Sequence, residues 1–352
     1  MKSKGSDPLS KGSDPLSVPA PDLAVPKAEL HVHLEGTAPP ELVRRLAQRN
    51  GLPVPEGVFA DEETFAWSDF LHFLRTYDLA ASVIRTAQDY RDVAFEYLAG
   101  VAQEGGVYVE LIASPDHAAA VGLTDAEHYA GIAQGIDDAR DKHGIEARIV
   151  IAAVRNLGIE AAEAIARRHA DDRHPYVVGF NLVGDEAAWP ADRFARAYEI
   201  AAASGLGCTV HAGEHGGPES IRAALTLPVT RISHGVRAIE DPKLVDELAE
   251  RQTILEVCPS SNVALGVFPT YEDHPLGALR EAGVRVTLGS DDPPYFGCSI
   301  GTEYAVARQC HGFEEGQLID VTRLAVQAGF AEDAVKDAVL AGLRFDGDRG
   351  TD

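Results

Sequence analysis

The sequence predicts an α/β protein, specifically a closed (β/α)8 TIM barrel with extra helices after the first strand and at the C-terminus. Two observations predict this fold. Eight short apolar runs alternate with helical segments rich in Ala, Glu and Arg, which indicates parallel βαβ units, and eight such units close into a barrel. Several of these runs end in His or Asp, and barrel enzymes carry their catalytic groups at the carboxyl ends of the strands.

The apolar runs are five to eight residues long and rich in β-branched side chains, as expected for buried strands. The predicted strands are residues 27–33, 106–113, 147–154, 177–183, 207–212, 230–234, 253–258 and 284–289. The segments between them have helical spacing of apolar residues. The clearest predicted helices are residues 125–143, 159–170, 192–203 and 242–251, and two further helical stretches, 302–310 and 314–343, follow the last strand.

The connection after the first predicted strand, residues 34–104, is unusually long. A connection so far above the common length is usually functional or contains structure of its own. Within it, residues 67–74 read WSDFLHFL, an amphipathic pattern that predicts an added helix covering the barrel. The alternative is a lid that closes over the barrel mouth and excludes water from a substrate.

The domain organisation is predicted to be a single barrel domain over residues 26–352, because α/β barrels often reach this length as one domain. Residues 1–25 are excluded from it. The sequence KGSDPLS at residues 4–10 is repeated without change at residues 11–17. A short polar duplication of this composition indicates a disordered tail or an artificial linker.

Charge and composition exclude several classes of partner. The chain has 31 Lys and Arg against 55 Asp and Glu, a net charge of −24, which argues against a nucleic-acid surface. No apolar run approaches the roughly 20 residues of a membrane span. Its cysteines show no paired metal-binding spacing, so free thiols in a reducing cytoplasm are expected. The predicted partner is a small neutral or cationic molecule, and no particular oligomeric state is predicted.

Three histidines and one aspartate at predicted strand ends form a candidate metal site. His31 and His33 alternate on the first strand, so their side chains face the same way. His211 ends the fifth strand and Asp291 follows the eighth. Three imidazoles and one carboxylate suit zinc, with iron, cobalt and manganese as alternatives. The fourth strand, residues 177–184, has no lysine that could bridge two metals, so one metal is expected.

Three further polar residues lie at the same predicted barrel mouth. Glu214 is a candidate proton donor, with a solvated loop carboxylate or helix cap as the structural alternative. His234 could assist proton chemistry or be a core imidazole, and Asp292 could bind substrate or cap a helix. Together these groups indicate a metal-dependent hydrolase. Other histidines are interpreted as surface or capping residues, namely His72, His117, His215 and His274.

These fragments resemble the adenosine deaminase family over nearly the whole chain after residue 25. The resemblance begins with PKAELHVHLEG at residue 26 and continues with HAGE at 211, SHG at 233, CPSSN at 258 and SDDP at 290. Another class of zinc deaminases pairs H-x-E with a later P-C-x-x-C, and that second half is absent here. The resemblance implies the barrel type, with one zinc and a water held by His31, His33, His211 and Asp291.

The resemblance also implies how the other groups meet a 6-aminopurine. Glu214, kept protonated, would donate to N1 and make C6 electrophilic. His234 would orient the attacking hydroxide, stabilise its charge and help to deprotonate the water. Asp292 would bond N7, and the backbone N–H of Gly184 would bond N3. The enzyme class implied is a hydrolase acting on C–N bonds of cyclic amidines, which releases ammonia and leaves the 6-oxo purine.

The main expectation for the substrate is adenosine or a 5′-modified adenosine, since LVGDE at residues 182–186 is similar to the nucleoside branch of the family. Two departures support the alternative of a free-base adenine deaminase. Glu35 stands where adenosine deaminases usually carry a ribose-contacting Asp, and Ile112 stands where many relatives carry Arg. A 6-aminodeoxyfutalosine deaminase is a further alternative. A non-catalytic binding protein on the same barrel is disfavoured because the site is complete.

Overall fold

The computed structural model describes residues 18–343, and within them the predicted α/β barrel is confirmed. Parallel strands line its centre and helices surround them, as in the predicted fold. The strands are β1 (Lys27–His33), β2 (Gly106–Ala113), β3 (Glu146–Val154), β4 (Val177–Val183), β5 (Gly207–Cys208), β6 (His211–Ala212), β7 (Arg231–His234), β8 (Ile254–Val257) and β9 (Arg285–Leu288).

The strands form two parallel ladders that join into a barrel, β1 to β5 and β6 to β9 in sequence order. The predicted fifth strand is interrupted between β5 and β6, where the backbone N–H of Thr209 donates to the carbonyl of Phe180 at 3.0 Å. The other seam closes at β1, because Asp291 N donates to the carbonyl of His31 at 3.1 Å and His33 N donates to the carbonyl of Asp291 at 2.9 Å. Barrel closure therefore places three candidate metal ligands side by side.

The helices pack outside the strands and also fill the long first connection. They are α1 (Pro40–Arg49), α2 (Phe70–Ala81), α3 (Ala87–Gln103), α4 (Pro115–Ala120), α5 (Asp125–His143), α6 (Ile159–Asp171), α7 (Ala195–Ala203), α8 (Pro218–Ala224), α9 (Pro242–Arg251), α10 (Pro259–Ala264), α11 (Leu276–Glu281), α12 (Pro293–Phe296), α13 (Ile300–His311), α14 (Glu315–Ala328) and α15 (Asp333–Gly342). Across residues 18–343, no helix combines the length and the apolar character needed to cross a membrane.

The last helices close the amino-terminal end of the barrel. Thr322 in α14 donates its hydroxyl to the carbonyl of Pro26 at 2.7 Å, just before β1. Phe330 lies against the first residues of β4 and β5, where a Cβ on Gly207 would come within 2.1 Å of its ring. Only glycine at position 207 leaves room for the ring of Phe330. With this end covered, the carboxyl end of the barrel is the end available to a substrate.

The long segment after β1 contains three helices, of which α2 lies across the barrel mouth. The helix begins at Phe70, slightly later than the sequence predicts, and the carboxylate of its N-cap Asp69 accepts from the N–H of His72 at 2.9 Å. Trp67, just before it, donates its indole N–H to the carbonyl of Tyr295 at 3.3 Å. Phe73 is buried, and its ring packs against the ring of Tyr295. The predicted covering helix is therefore present, and it also forms a wall of the cavity described below.

The predicted tail is described in part. Residues 1–17, which contain the duplicated sequence, lie outside the described residues. Residues 18–25 run along α13, where Asp22 N donates to the carbonyl of Gly301 at 2.9 Å and the Asp22 carboxylate pairs with Arg308 at 2.6 Å. Val25, at the predicted boundary, is buried in the main core.

Candidate active site

The predicted metal ligands converge at the carboxyl end of the barrel. The Nε2 atoms of His31 and His33 lie 3.1 and 3.2 Å from Nε2 of His211. Asp291 Oδ1 lies 3.4 Å from His31 Nε2 and 3.3 Å from His33 Nε2. Ligands about 2.0–2.1 Å from a tetrahedral ion are about 3.3 Å apart, so these four groups have the spacing of a zinc site. We call them the metal quartet.

Neighbouring acceptors determine which nitrogen of two of these imidazoles carries the proton. His31 Nδ1 lies 3.2 Å from the carbonyl of Glu256, and His211 Nδ1 lies 3.1 Å from Oδ1 of Asn181. Since these oxygens only accept, each Nδ1 donates and each Nε2 keeps a lone pair directed at the quartet. Burial and the neighbouring imidazoles lower the pKa of His211 well below its ordinary value. Neutral imidazoles with oriented Nε2 atoms are the form that binds a metal.

The fourth member of the quartet, Asp291, is a buried carboxylate on a strained backbone. Burial raises the pKa of Asp291, but the adjacent His31 and His33 side chains outweigh it and hold that pKa well below its ordinary value. Ser261 in α10 donates its hydroxyl to Asp291 Oδ2 at 2.6 Å, which leaves Oδ1 facing the histidines. Asp291 and His234 both have positive φ, 63° and 64°. Such conformations in residues other than glycine cluster at functional sites.

Glu214 lies beside the quartet in the loop after β6, next to His234. Its Oε2 lies 3.7 Å from His234 Nε2, and its side chain is 9% exposed. Burial, followed by the negative charges of Asp291 and Glu186, raises the pKa of Glu214 well above its ordinary value. A carboxyl group whose pKa is raised in this way holds its proton more tightly and can act as an acid.

Asp292 lies close to His33 and Asp291 of the quartet. Burial, followed by the negative charges of Asp291 and Glu214, raises the pKa of Asp292 well above its ordinary value. Its Oδ1 is buried and has no hydrogen-bond partner among the described residues. A Cβ on Gly36 would lie 1.7 Å from this oxygen, so only glycine allows the approach. An unpaired buried oxygen of this kind indicates a ligand contact.

A cavity of about 340 Å³ opens above these groups. This volume is at the lower end of the roughly 300–1,000 Å³ of small-molecule sites. One wall is apolar and comes mainly from α2, including Phe70, Phe73, Leu74 and Tyr77. The lining also includes polar groups from the carboxyl end of the barrel, namely His33, His211, Glu214, His234, Asp291 and Asp292.

Gly184 lines the same cavity at the end of β4. Its φ is +99°, a conformation that glycine adopts without strain, and a Cβ there would lie 2.3 Å from Oδ1 of Asn156. That same oxygen accepts from the N–H of Asp185 at 3.0 Å, which holds the turn in place. The backbone of Gly184 therefore borders the cavity, with no side chain between it and a ligand.

Glu35 lies behind the cavity instead of on its surface. It is buried and is absent from the cavity lining of the described residues. Its carboxylate accepts from the N–H of Ser114 at 3.0 Å and from the hydroxyls of Tyr77 and Tyr90 at 3.3 and 3.4 Å. The ring of Tyr77 lines the cavity. The carboxylate of Glu35 is thus occupied by protein donors.

Glu186 is a functional residue that the sequence reasoning missed. Its buried carboxylate accepts from the backbone N–H groups of Gly213 at 2.8 Å, Glu214 at 2.9 Å and Gly216, and from the hydroxyl of Ser220 at 2.6 Å. It therefore holds the loop that carries Glu214. These partners lie 27 to 34 residues away, so no local motif could reveal them.

Three of the remaining histidines differ from their interpretation as surface or capping residues. His274 is buried and bonds the side chain of Asn262. His117 lines the cavity and lies 2.9 Å from Asp78 of α2. His215 packs against the ring of Phe70 at 4.1 Å. Their positions depend on tertiary contacts with α2 and α10, which local sequence does not encode.

Comparison with known proteins agrees with this geometry. A model of the family described as adenosine deaminase matches residues 26–344. An adenine deaminase from Sinorhizobium medicae is 46% identical over 319 residues, covering 90% of this chain and 98% of the relative. An adenine deaminase from Agrobacterium fabrum is 45% identical over 317 residues, covering 90% of this chain and 97% of the relative.

Two solved structures share the fold across almost the whole chain. The adenine deaminase from Arthrobacter aurescens has a TM-score of 0.84 and 31% identity, covering 91% of this chain and 98% of that one. An amidohydrolase from Burkhoderia ambifaria with bound Zn has a TM-score of 0.82 and 26% identity, covering 91% and 90%. The resemblance noted in the sequence is thereby confirmed: this chain belongs to the adenosine deaminase family of hydrolytic deaminases.

Proposed function

We propose that this protein is a zinc-dependent adenine deaminase that converts adenine and water into hypoxanthine and ammonia. Relatives at 45–46% identity over nearly their whole length are named adenine deaminases. They favour the free-base alternative over the main expectation from the sequence, which was adenosine or a 5′-modified adenosine. Deamination of a 6-aminopurine is common to both.

The observation that carries the chemistry is the pair of buried carboxyl groups flanking the metal quartet. Glu214 and Asp292 both line the cavity, and burial raises the pKa of each well above its ordinary value. Neutral carboxyl groups can donate hydrogen bonds, whereas carboxylates only accept. Adenine presents the acceptor nitrogens N1 and N7 on either side of C6. Two donors flanking a nucleophile site therefore match the edge of adenine that must react.

The metal quartet fits zinc in donor type, spacing and burial. His31, His33, His211 and Asp291 would hold it, with the tautomers of His31 and His211 fixed by Glu256 and Asn181. Zinc supplies Lewis-acid chemistry that makes hydroxide available near neutral pH. The bound zinc of the Burkhoderia amidohydrolase supports this choice of metal.

The residues of this chain would then divide the proton chemistry among them. Glu214 donates its proton to N1, which withdraws electron density from C6 as the oxygen of water adds there. His234, 3.7 Å from Glu214, lies beside the attacking oxygen. Asp292 donates to N7, and the backbone N–H of Gly184 bonds N3 and orients the ring. As the C6–N6 bond breaks, N6 takes one of the two protons of the water and leaves as ammonia. The other water proton restores Glu214, and N1 keeps its proton in the 6-oxo product.

The choice of the free base over the nucleoside is supported by Glu35. At the position where adenosine deaminases usually carry an Asp that contacts ribose, this carboxylate accepts from Ser114, Tyr77 and Tyr90. It is therefore occupied and lies behind the cavity wall. A ribose entering the cavity would have to bury hydroxyl groups without this partner, and unpaired buried polar groups are costly.

This proposal is tested by following the loss of the 6-aminopurine ultraviolet absorbance with adenine and adenosine in parallel. We expect kcat/KM for adenine to exceed that for adenosine by more than about 100-fold, because unpaired ribose hydroxyls oppose binding. Activity that remains in the Glu214→Gln variant, purified in the same way, measures any contaminating deaminase from the expression host. Equal or preferred turnover of adenosine would contradict the free-base assignment.

A further inference from the structure

A chain of three buried hydrogen bonds connects the start of α11 to His234. The backbone N–H of Leu276 lies 3.2 Å from His274 Nδ1. His274 Nε2 lies 3.1 Å from Oδ1 of Asn262, and Nδ2 of Asn262 lies 3.2 Å from His234 Nδ1. All four residues are buried. We call this series the α11 relay.

The backbone N–H of Leu276 determines which atom donates and which accepts in every hydrogen bond of the α11 relay. A backbone N–H can only donate, so His274 Nδ1 accepts from Leu276 and the proton of the neutral ring is on Nε2. That N–H must meet the amide oxygen of Asn262, which turns the amide NH2 toward His234. His234 Nδ1 then accepts, and its own proton is on Nε2.

The surroundings of His274 keep it in the neutral form on which this direction depends. Its ring packs against Phe268 and near His311, with centroids 5.1 and 6.0 Å apart. Burial, followed by the charge that His311 would carry, lowers the pKa of His274 to about 3. A neutral ring has one donor and one acceptor nitrogen, and both are engaged here.

We propose that Asn262 and His274 are positioning residues that fix His234 as the Nε2–H tautomer. The Nε2 atom faces Glu214 Oε2 at 3.7 Å and Asp291 Oδ2 at 3.9 Å, so its proton is directed to the space beside the metal quartet. His234 then donates a hydrogen bond to the attacking oxygen. This replaces the expectation that it helps to deprotonate the water, because a protonated Nε2 has no lone pair for that proton.

Two neighbouring residues of the short helix α10 orient Asp291 and His234. Ser261 orients Asp291 by donating to its Oδ2 at 2.6 Å, and the next residue, Asn262, orients His234. Asn262 also accepts backbone N–H bonds from Val267 and Phe268 through its carbonyl, which anchors the loop after the helix. The catalytic consequence rests on the proposed function, whereas the tautomer of His234 does not.

The first test is the tautomer itself, read from long-range ¹H–¹⁵N correlation spectra of protein labelled with ¹⁵N-histidine. The His234 signals are assigned by their loss in a His234→Ala variant. We expect a protonated Nε2 and an unprotonated Nδ1 with an acceptor shift. A proton on Nδ1 in the unaltered protein would overturn the proposal without reference to any variant.

The second test is Asn262→Asp, which keeps side-chain volume but presents acceptors to His234. We expect the His234 proton to move to Nδ1, and kcat for adenine to fall about 10–100-fold with KM and metal content unchanged. Ser260→Ala is the matched control, since Ser260 shares α10 but its hydroxyl accepts from Tyr271 at 3.1 Å. Ser260→Ala is expected to leave the tautomer of His234 and the kcat for adenine unchanged.

The outcomes separate this inference from the proposed function. An Asn262→Asp protein with the Nε2–H tautomer and near-normal kcat would overturn the inference. If that variant does not fold, His274→Phe removes the donor to Asn262 while keeping an aromatic ring, and is expected to give a mixture of tautomers. Should the unaltered protein fail to consume adenine yet show the tautomer shift in Asn262→Asp, the function fails and the α11 relay stands.

Discussion

Replacing Glu214 with Gln is expected to lower kcat for adenine by about 10²–10⁴-fold, the usual contribution of a positioned general acid. Glutamine has nearly the same shape as glutamate, so it fits in the same space beside His234. Its amide can donate a hydrogen bond to N1 but has no proton to transfer. Bound metal is expected to stay at the level of the unaltered protein, because Glu214 is outside the metal quartet.

The matched control for this variant is Glu219→Gln, an exposed carboxylate five residues further along the same loop and helix. It makes the same Glu-to-Gln exchange outside the cavity and is expected to retain full activity. Steady-state assays and metal analysis on both proteins check the prediction. Near-normal turnover by Glu214→Gln would remove the acid role assigned to this residue.

Replacing His211 with Ala is expected to remove both the bound metal and the activity. His211 Nε2 lies 3.1 and 3.2 Å from the other two imidazole nitrogens, so it completes the quartet. Loss of an outer hydrogen-bond partner typically costs about 10–100-fold in metal affinity, and loss of a direct ligand should exceed this. Metal content per chain after extensive dialysis is the measurement.

The control for the ligand variant is His174→Ala, since His174 lies before β4, at the opposite end of the strand from the quartet. This protein is expected to keep its metal and its turnover. A circular-dichroism melting curve shows whether each variant is folded. A folded His211→Ala protein that binds metal as tightly as the control would contradict the assignment of the quartet.

The barrel and the quartet were predictable because their signals repeat along the chain. Strand β1 begins and ends where its apolar run predicts, with His31 and His33 alternating at its end. The parallel arrangement then brings His211 and Asp291 to the same mouth, although long stretches of sequence separate them. Periodicity and fold-level rules suffice for such residues.

Other features depend on contacts that no local pattern encodes. The break between β5 and β6 falls at residues 209–210, whereas the apolar run predicts one continuous strand. The carboxylate of Glu186 bonds groups in a loop that follows a further helix and two strands.

The contacts of Glu35, which bear on substrate specificity, also could not be predicted from local sequence. The sequence identifies the residue as the departure that distinguishes branches of the family. Its surroundings come from three other parts of the chain, since Tyr77 is in α2, Tyr90 in α3 and Ser114 after β2. Only their assembly shows that the carboxylate is occupied by protein donors instead of facing a ligand.

The central claim, a zinc-dependent adenine deaminase, is tested most directly by titrating zinc into metal-free protein while measuring adenine consumption. We expect turnover to rise in proportion to bound zinc and to reach its maximum at about one zinc per chain, as one tetrahedral quartet requires. Hypoxanthine and ammonia should form in equal amounts. Adenine consumption by zinc-free protein, or none by folded protein holding one zinc, would contradict the claim.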